Sequence, residues 1–161
     1  MFENLTRLSI INTNSRSLSP KIDSLIDCME ETDAHVAVVT ESWFKDGTEL
    51  EDLRDRLLSG SGIGMLCRNR NPNPNGVAYG GVTLLWQAAK IDFKQVTIKN
   101  QDGFELLVAA RSVTGQRRKL VILGCYFPPN YTKQRGQAAL DFVEDVVVDM
   151  KRKFHDILSS L

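Results

Sequence analysis

Only three cysteines, Cys28, Cys67 and Cys125, occur in the 161 residues. They are odd in number, widely spaced and set among apolar neighbours, which excludes a disulfide scaffold and argues against a zinc site. They read as reduced thiols of an intracellular protein. Net charge is also lacking: 20 basic and 20 acidic side chains cancel. The chain as a whole therefore has no electrostatic footprint of a nucleic-acid binder, and any such contact has to come from a local patch. No run of about 18 apolar residues exists, which excludes a membrane-crossing helix, and no membrane partner is expected. Met1 to Thr13 lacks the basic start and long apolar core of a secretory signal, so the expectation is a cytoplasmic or nuclear protein, not a secreted one. Histidine is scarce as well, with His35 and His155 alone.

With 42% hydrophobic residues, a chain of this length buries about two thirds of its unfolded surface. Leu8 to Ile11 reads as a buried strand closed by the polar stretch Asn12 to Ser17. Ser19 is placed to cap a helix and Pro20 suits its first position. Ile22, Leu25, Ile26 and Met29 then follow at the spacing of one helical face. Val36 to Val39 is a second apolar strand, so the chain opens with a βαβ unit and parallel strands. Leu50 to Leu58 allows a short helix, glycines precede a strand at Met65 to Cys67, and Asn69 to Gly76 reads as an exposed loop. Gly81 to Trp86, Ile91 to Ile98, Phe104 to Arg111 and Lys119 to Tyr126 read as closely spaced antiparallel strands, with turns at Gln101-Asp102-Gly103 and Thr114-Gly115. After Gly136, Ala139, Val143, Val146, Val147, Met150, Phe154, Ile157 and Leu161 form one helical stripe. The pattern predicts an α/β or α+β sandwich with no repeat, linker or second domain. Because the stripe reaches the last residue without a capping glycine, residues 1–161 are expected to be a single, incomplete domain.

Three polar residues stand at the ends of apolar strands: Asn14, Glu41 and Tyr126. In α/β architectures such ends are where sites gather. A carboxylate one residue past an apolar strand suits a magnesium ion, which takes one or two protein carboxylates and completes its shell with water and phosphate oxygens. From position alone, simple solvation of Glu41 serves as well. Asn14 in a strand-to-loop turn and Tyr126 before two prolines also have structural readings, as a backbone cap and a packing ring.

The stretches Asn14-Ser15-Arg16-Ser17-Leu18, Thr40-Glu41-Ser42-Trp43-Phe44, Gly80-Gly81-Val82 and Tyr126-Phe127-Pro128-Pro129 resemble, in order and spacing, the apurinic-type endonuclease domain of non-LTR retrotransposons. That domain belongs to the endonuclease/exonuclease/phosphatase superfamily. The resemblance runs from about Leu8 to the end of the chain. It implies a four-layered α/β sandwich, truncated at its C-terminus, that hydrolyses a DNA phosphodiester with metal-activated water. It further implies that Glu41 holds Mg2+ or Mn2+, that Asn14 organises the metal and phosphate, and that Tyr126 contacts the scissile phosphate. Arg68 and Arg70, just before the Asn/Pro loop, are either candidate DNA contacts or ordinary solvated charge. The clusters Arg117-Arg118-Lys119 and Lys151-Arg152-Lys153 read as surface.

The family pattern continues with G-D-F-N and S-D-H, and neither occurs here. Without them the attacking water lacks its general base or orienting group, an effect typically worth 10²–10⁴-fold. The expectation is a poor or dead catalyst from a reverse transcriptase polyprotein, with self-association through exposed sheet surface. Two alternatives stand beside it: a decayed element's remnant that acts at most as a binding module, and a phosphatase or lipid phosphodiesterase of the same superfamily.

Overall fold

The computed structural model describes residues 7–70, 74–76, 79–96, 105–112, 119–129 and 132–159. The predicted turns at 101–103 and 114–115, the cations at 117 and 118, and Leu161 lie outside them, as do the side chains of Phe154, His155 and Ile157. Two sheets carry the architecture. The first has strands β1 (Ile10–Asn14), β2 (Val36–Thr40), β3 (Ile63–Arg68) and β4 (Val82–Gln87) in the order β1-β2-β4-β3; the second has β5 (Lys94–Gln95), β6 (Glu105–Ser112) and β7 (Lys119–Tyr126) in chain order. β1 and β2 are parallel, joined through helix α1 (Ile22–Glu31), as the βαβ reading requires; β4 runs antiparallel to both β2 and β3.

Alternation along each strand sorts the apolar residues into three cores. Ala37, Val39, Met65, Cys67 and Leu85 point outward and pack against Ile22, Ile26 and Met29 of α1 and against Leu50 of α2 (Thr48–Arg56). Val36, Val82, Leu84 and Trp86 point the other way, onto Leu107, Ala109 and Ile122 of the second sheet. On that sheet's far side Leu106, Val108, Leu123 and Cys125 meet Ala139, Val146 and Met150 of α3 (Lys133–Ser159). The result is the four-layered α/β sandwich: helices, sheet, sheet, helix. Both faces of β2 and β4 are covered, which is why β2 reads as an apolar run up to Thr40 and β4 as one broken only by the buried Thr83 before Gln87.

The sheets approach closely at Gly124. A Cβ there would lie 2.8 Å from Cγ1 of Val82 and 3.1 Å from Cγ1 of Val38, so only glycine lets β7 settle on β2 and β4. β1 lacks such cover. Ile10, Asn12 and Asn14 share the inter-sheet face with Val36 and Val38, yet all three are exposed, Ile10 to 47%.

Several sequence boundaries shift. β1 begins at Ile10 and runs through Asn14, because on an edge strand with one open face polar residues do not end the pairing. The Ser19 cap is absent: Ser19–Lys21 form a 3-10 turn after Leu18, with no side-chain bond capping it or α1. α2 begins at Thr48 and passes into a wider turn at Leu57–Ser61. Of Ile91 to Ile98 only Lys94–Gln95 pair among the described residues, since the turn closed by Lys90 and Ile91 onto the Gln87 carbonyl directs Ile91 and Phe93 into the core instead. No helix of the described residues is long and apolar enough to cross a membrane.

Candidate functional site

Asn14 ends β1, Glu41 follows β2 directly, and Tyr126 ends β7. Parallel pairing sets Asn14 beside Thr40, so the first two arrive at one sheet end together. The third comes from the opposite sheet. All three meet on a single oxygen: Nδ2 of Asn14 and the hydroxyl of Tyr126 each donate to Oε1 of Glu41, both at 3.0 Å. Oδ1 of Asn14 accepts the amide of Arg16 at 3.3 Å, which fixes the asparagine's orientation. Burial first, then the bond and charge of Glu41, hold the Tyr126 phenol above its ordinary range, so at neutral pH the ring remains a proton donor.

The backbone beneath this cluster is strained. Arg16, Ser17, Glu41 and Trp43 all adopt positive φ, between 44° and 78°, a region that costs non-glycine residues roughly 1–3 kcal/mol each. Cross-loop bonds hold it: the amides of Ser15, Ser17 and Leu18 donate to the carbonyls of Thr40, Glu41 and Ser42, and that of Trp43 donates to Gly80. Lys21 adds its ammonium to the Ser15 and Arg16 carbonyls. Gly81 fits against buried Ser42, whose Oγ would lie 2.9 Å from any Cβ there. Beside the cluster, the rings of Trp43 and Tyr79 meet edge to face at 4.9 Å.

Of the two predicted arginines, Arg68 ends β3 and is half-buried. Arg70 forms an ion pair instead, its Nε 2.5 Å from Oε1 of Glu105. Sequence reading passed over Glu105, although a carboxylate opening the apolar run E-L-L-V-A-A was a signal. It is 4% exposed and lies directly opposite Tyr126 in the β6–β7 register.

The donor set suits a divalent ion of the magnesium kind. Among the described residues no group of three or more His, Cys, Asp or Glu side chains forms a closed metal cage. One carboxylate, Glu41, with the Asn14 amide nearby, matches an ion that keeps most of its shell for water and phosphate.

No protein-family model and no curated protein matches the chain. Solved structures do. The endonuclease domain of TRAS1, a telomere-specific non-LTR retrotransposon, superposes with a TM-score of 0.53 at 12% identity, over 86% of this chain and 53% of that one. An AP endonuclease from Archaeoglobus fulgidus gives 0.56 at 14%, over 87% and 49%. The 3′ phosphatase NExo from Neisseria, bound to a product DNA hairpin, gives 0.56 at 16%, over 88% and 53%. The chain has the endonuclease/exonuclease/phosphatase fold. It spans about half the length of these three structures. Within the endonuclease/exonuclease/phosphatase fold, the Glu41 cluster lies where the ends of β1, β2 and β7 converge.

Proposed function

We propose that this chain carries the metal-and-phosphate part of a DNA phosphodiesterase site, of the endonuclease kind found in non-LTR retrotransposons. The observation that carries the reading is the convergence of Asn14 and Tyr126, from two different sheets, on one oxygen of Glu41. Glu41 with Asn14 would hold Mg2+ or Mn2+. The ion, when bound, supplies Lewis-acid stabilisation of charge on phosphate oxygens. Once a metal occupies Glu41, Tyr126, kept protonated, would turn its single O–H from that carboxylate to the phosphate, and the amide of Asn14 would keep the carboxylate oriented. The retroelement source rests on the wording of the four motifs and on the likeness to the TRAS1 domain.

The sequence has no G-D-F-N or S-D-H, so these residues bind and orient a phosphodiester rather than complete its hydrolysis. Calorimetric titration of the chain with Mn2+, alone and with duplex DNA, tests the reading. One divalent ion should bind and tighten DNA association, and Glu41→Gln should abolish that linkage while the fold survives. Metal-linked DNA binding of undiminished strength in the Glu41→Gln chain would remove Glu41 from the site.

A further inference from the structure

Glu105 is a carboxylate that the metal-and-phosphate reading leaves unused, and its placement is unusual. Ionisable side chains are seldom fully buried unless paired, yet this one is 4% exposed at the head of an otherwise apolar strand. It shares the inter-sheet face with Leu107 and Ala109 and stands directly across the ladder from Tyr126. Gly80, at φ 94°, passes over both. A Cβ on Gly80 would lie 3.2 Å from Oε2 of Glu105 and 3.4 Å from Cε1 of Tyr126. The carboxylate is thus fixed against the ring whose hydroxyl reaches Glu41.

The pair it makes is one-sided. The side chain of Glu105 is 5% exposed and that of Arg70 32%, so the arginine extends from a buried anchor toward the surface. Guanidinium is planar, and binding its Nε edge to a fixed carboxylate also fixes the direction of the rest of the fork. Arg70 reaches Glu105, which stands directly opposite Tyr126 in the ladder, and its charge opposes the rise that burial and Glu41 produce in the phenol. Stability alone explains the pair poorly, because a buried ion pair is often matched or bettered by apolar residues of the same volume. Orientation explains it better: a cation ordered in advance loses less freedom when it meets an anion.

We propose that Glu105 is a positioning residue that holds Arg70 as a phosphate-binding cation beside Tyr126. This rests on the reading of the site as one for a DNA phosphodiester, and it assigns to Arg70 a second, metal-independent hold on the backbone.

The test measures binding of fluorescein-labelled duplex DNA by anisotropy across a salt series, in EDTA so that no divalent ion contributes. Each phosphate neutralised by a cation adds about 0.9 to the slope of log affinity against log salt. Arg70→Ala should weaken binding about tenfold and lower the slope by about one contact. Glu105→Gln is the decisive variant, since it removes a negative charge near DNA and simple electrostatics makes it bind more tightly. Positioning requires the opposite: weaker binding and the reduced slope of Arg70→Ala, although the arginine is still present. Where thermal melting shows that Glu105→Gln does not fold, Glu105→Asp, which keeps the charge but draws the carboxylate back by one methylene, should show the same reduced slope. Equal or tighter binding with an unchanged slope in the folded Glu105 variant overturns the inference and leaves the metal reading standing. No DNA binding by the unsubstituted chain at low salt overturns both.

Discussion

The hydroxyl of Tyr126 and Oε1 of Glu41 lie 3.0 Å apart, yet the residues are separated by 85 positions and come from opposite sheets. Their contact exists only because the sheets dock, and they come close at Gly124, two residues before Tyr126 on β7. Fold and site are therefore coupled through the spacing between the layers.

Gly124→Val should act on both. The added side chain meets Val82 and Val38 at once, and overpacking of this kind costs about 1–3 kcal/mol. At roughly 2–4 °C per kcal/mol for a chain of this size, thermal melting should show the loss directly. Metal-linked DNA binding should fall further than stability does, because Tyr126 is carried away from Glu41. A variant that melts lower but binds DNA and Mn2+ normally would uncouple the two.

Catalysis by the chain itself should be absent. On the proposed reading the residues present would hold a metal and a phosphate but supply no base for the attacking water, and supercoiled plasmid with Mg2+ or Mn2+ should show no nicking above an Asn14→Ala, Glu41→Ala control. Clear metal-dependent nicking that the control abolishes would show that G-D-F-N and S-D-H are dispensable.

Cysteine chemistry offers a test independent of function. Burial pushes the Cys67 thiol up to about 11, while Cys28 is exposed. At pH 8 only about one Cys67 in a thousand is thiolate, so native alkylation should mark Cys28 first. The folded pKa lies above the ordinary value of 9.0, so the folded chain retains a proton that the unfolded one releases. Stability should be intact below pH 9 and decline between about 9 and 11, by at most about 2–3 kcal/mol from this group. Rapid labelling of Cys67 at pH 8 in the folded protein would contradict its burial.

Self-association should be measurable. Ile10 is exposed on the inter-sheet face of β1, and Leu140 and Val148 are exposed on α3. An uncovered strand face with an apolar residue invites pairing, and size exclusion should return a mass above 18.1 kDa, reduced toward the monomer by Ile10→Lys. A monomer at high concentration would refute this.

Much of the fold was legible because its strands announce themselves: Val36 to Val39 and Lys119 to Tyr126 are β-rich and sharply bounded, and the α3 stripe keeps helical spacing. β1 was harder, since Asn12, Thr13 and Asn14 pair as strand while looking like loop. The convergence of Asn14, Glu41 and Tyr126 could be expected only through motif order, because nothing local in the sequence brings β7 across to β2. Glu105 escaped notice for a related reason. Its meaning depends on a cross-strand neighbour 21 positions away and on Arg70, which precedes it by 35.

The positive-φ residues around Glu41 bear on how the protein opens. Arg16, Ser17, Glu41 and Trp43 hold a conformation each would leave if released, and what prevents release is a lattice of amides bonded from one loop to the next. Those amides cannot break singly without letting the others relax. In deuterated water the amides of Ser17, Leu18 and Trp43 should therefore exchange together, at one rate, as a single opening unit rather than as three frayed loops. Such a unit gives the site two states, assembled or dissolved, with little in between.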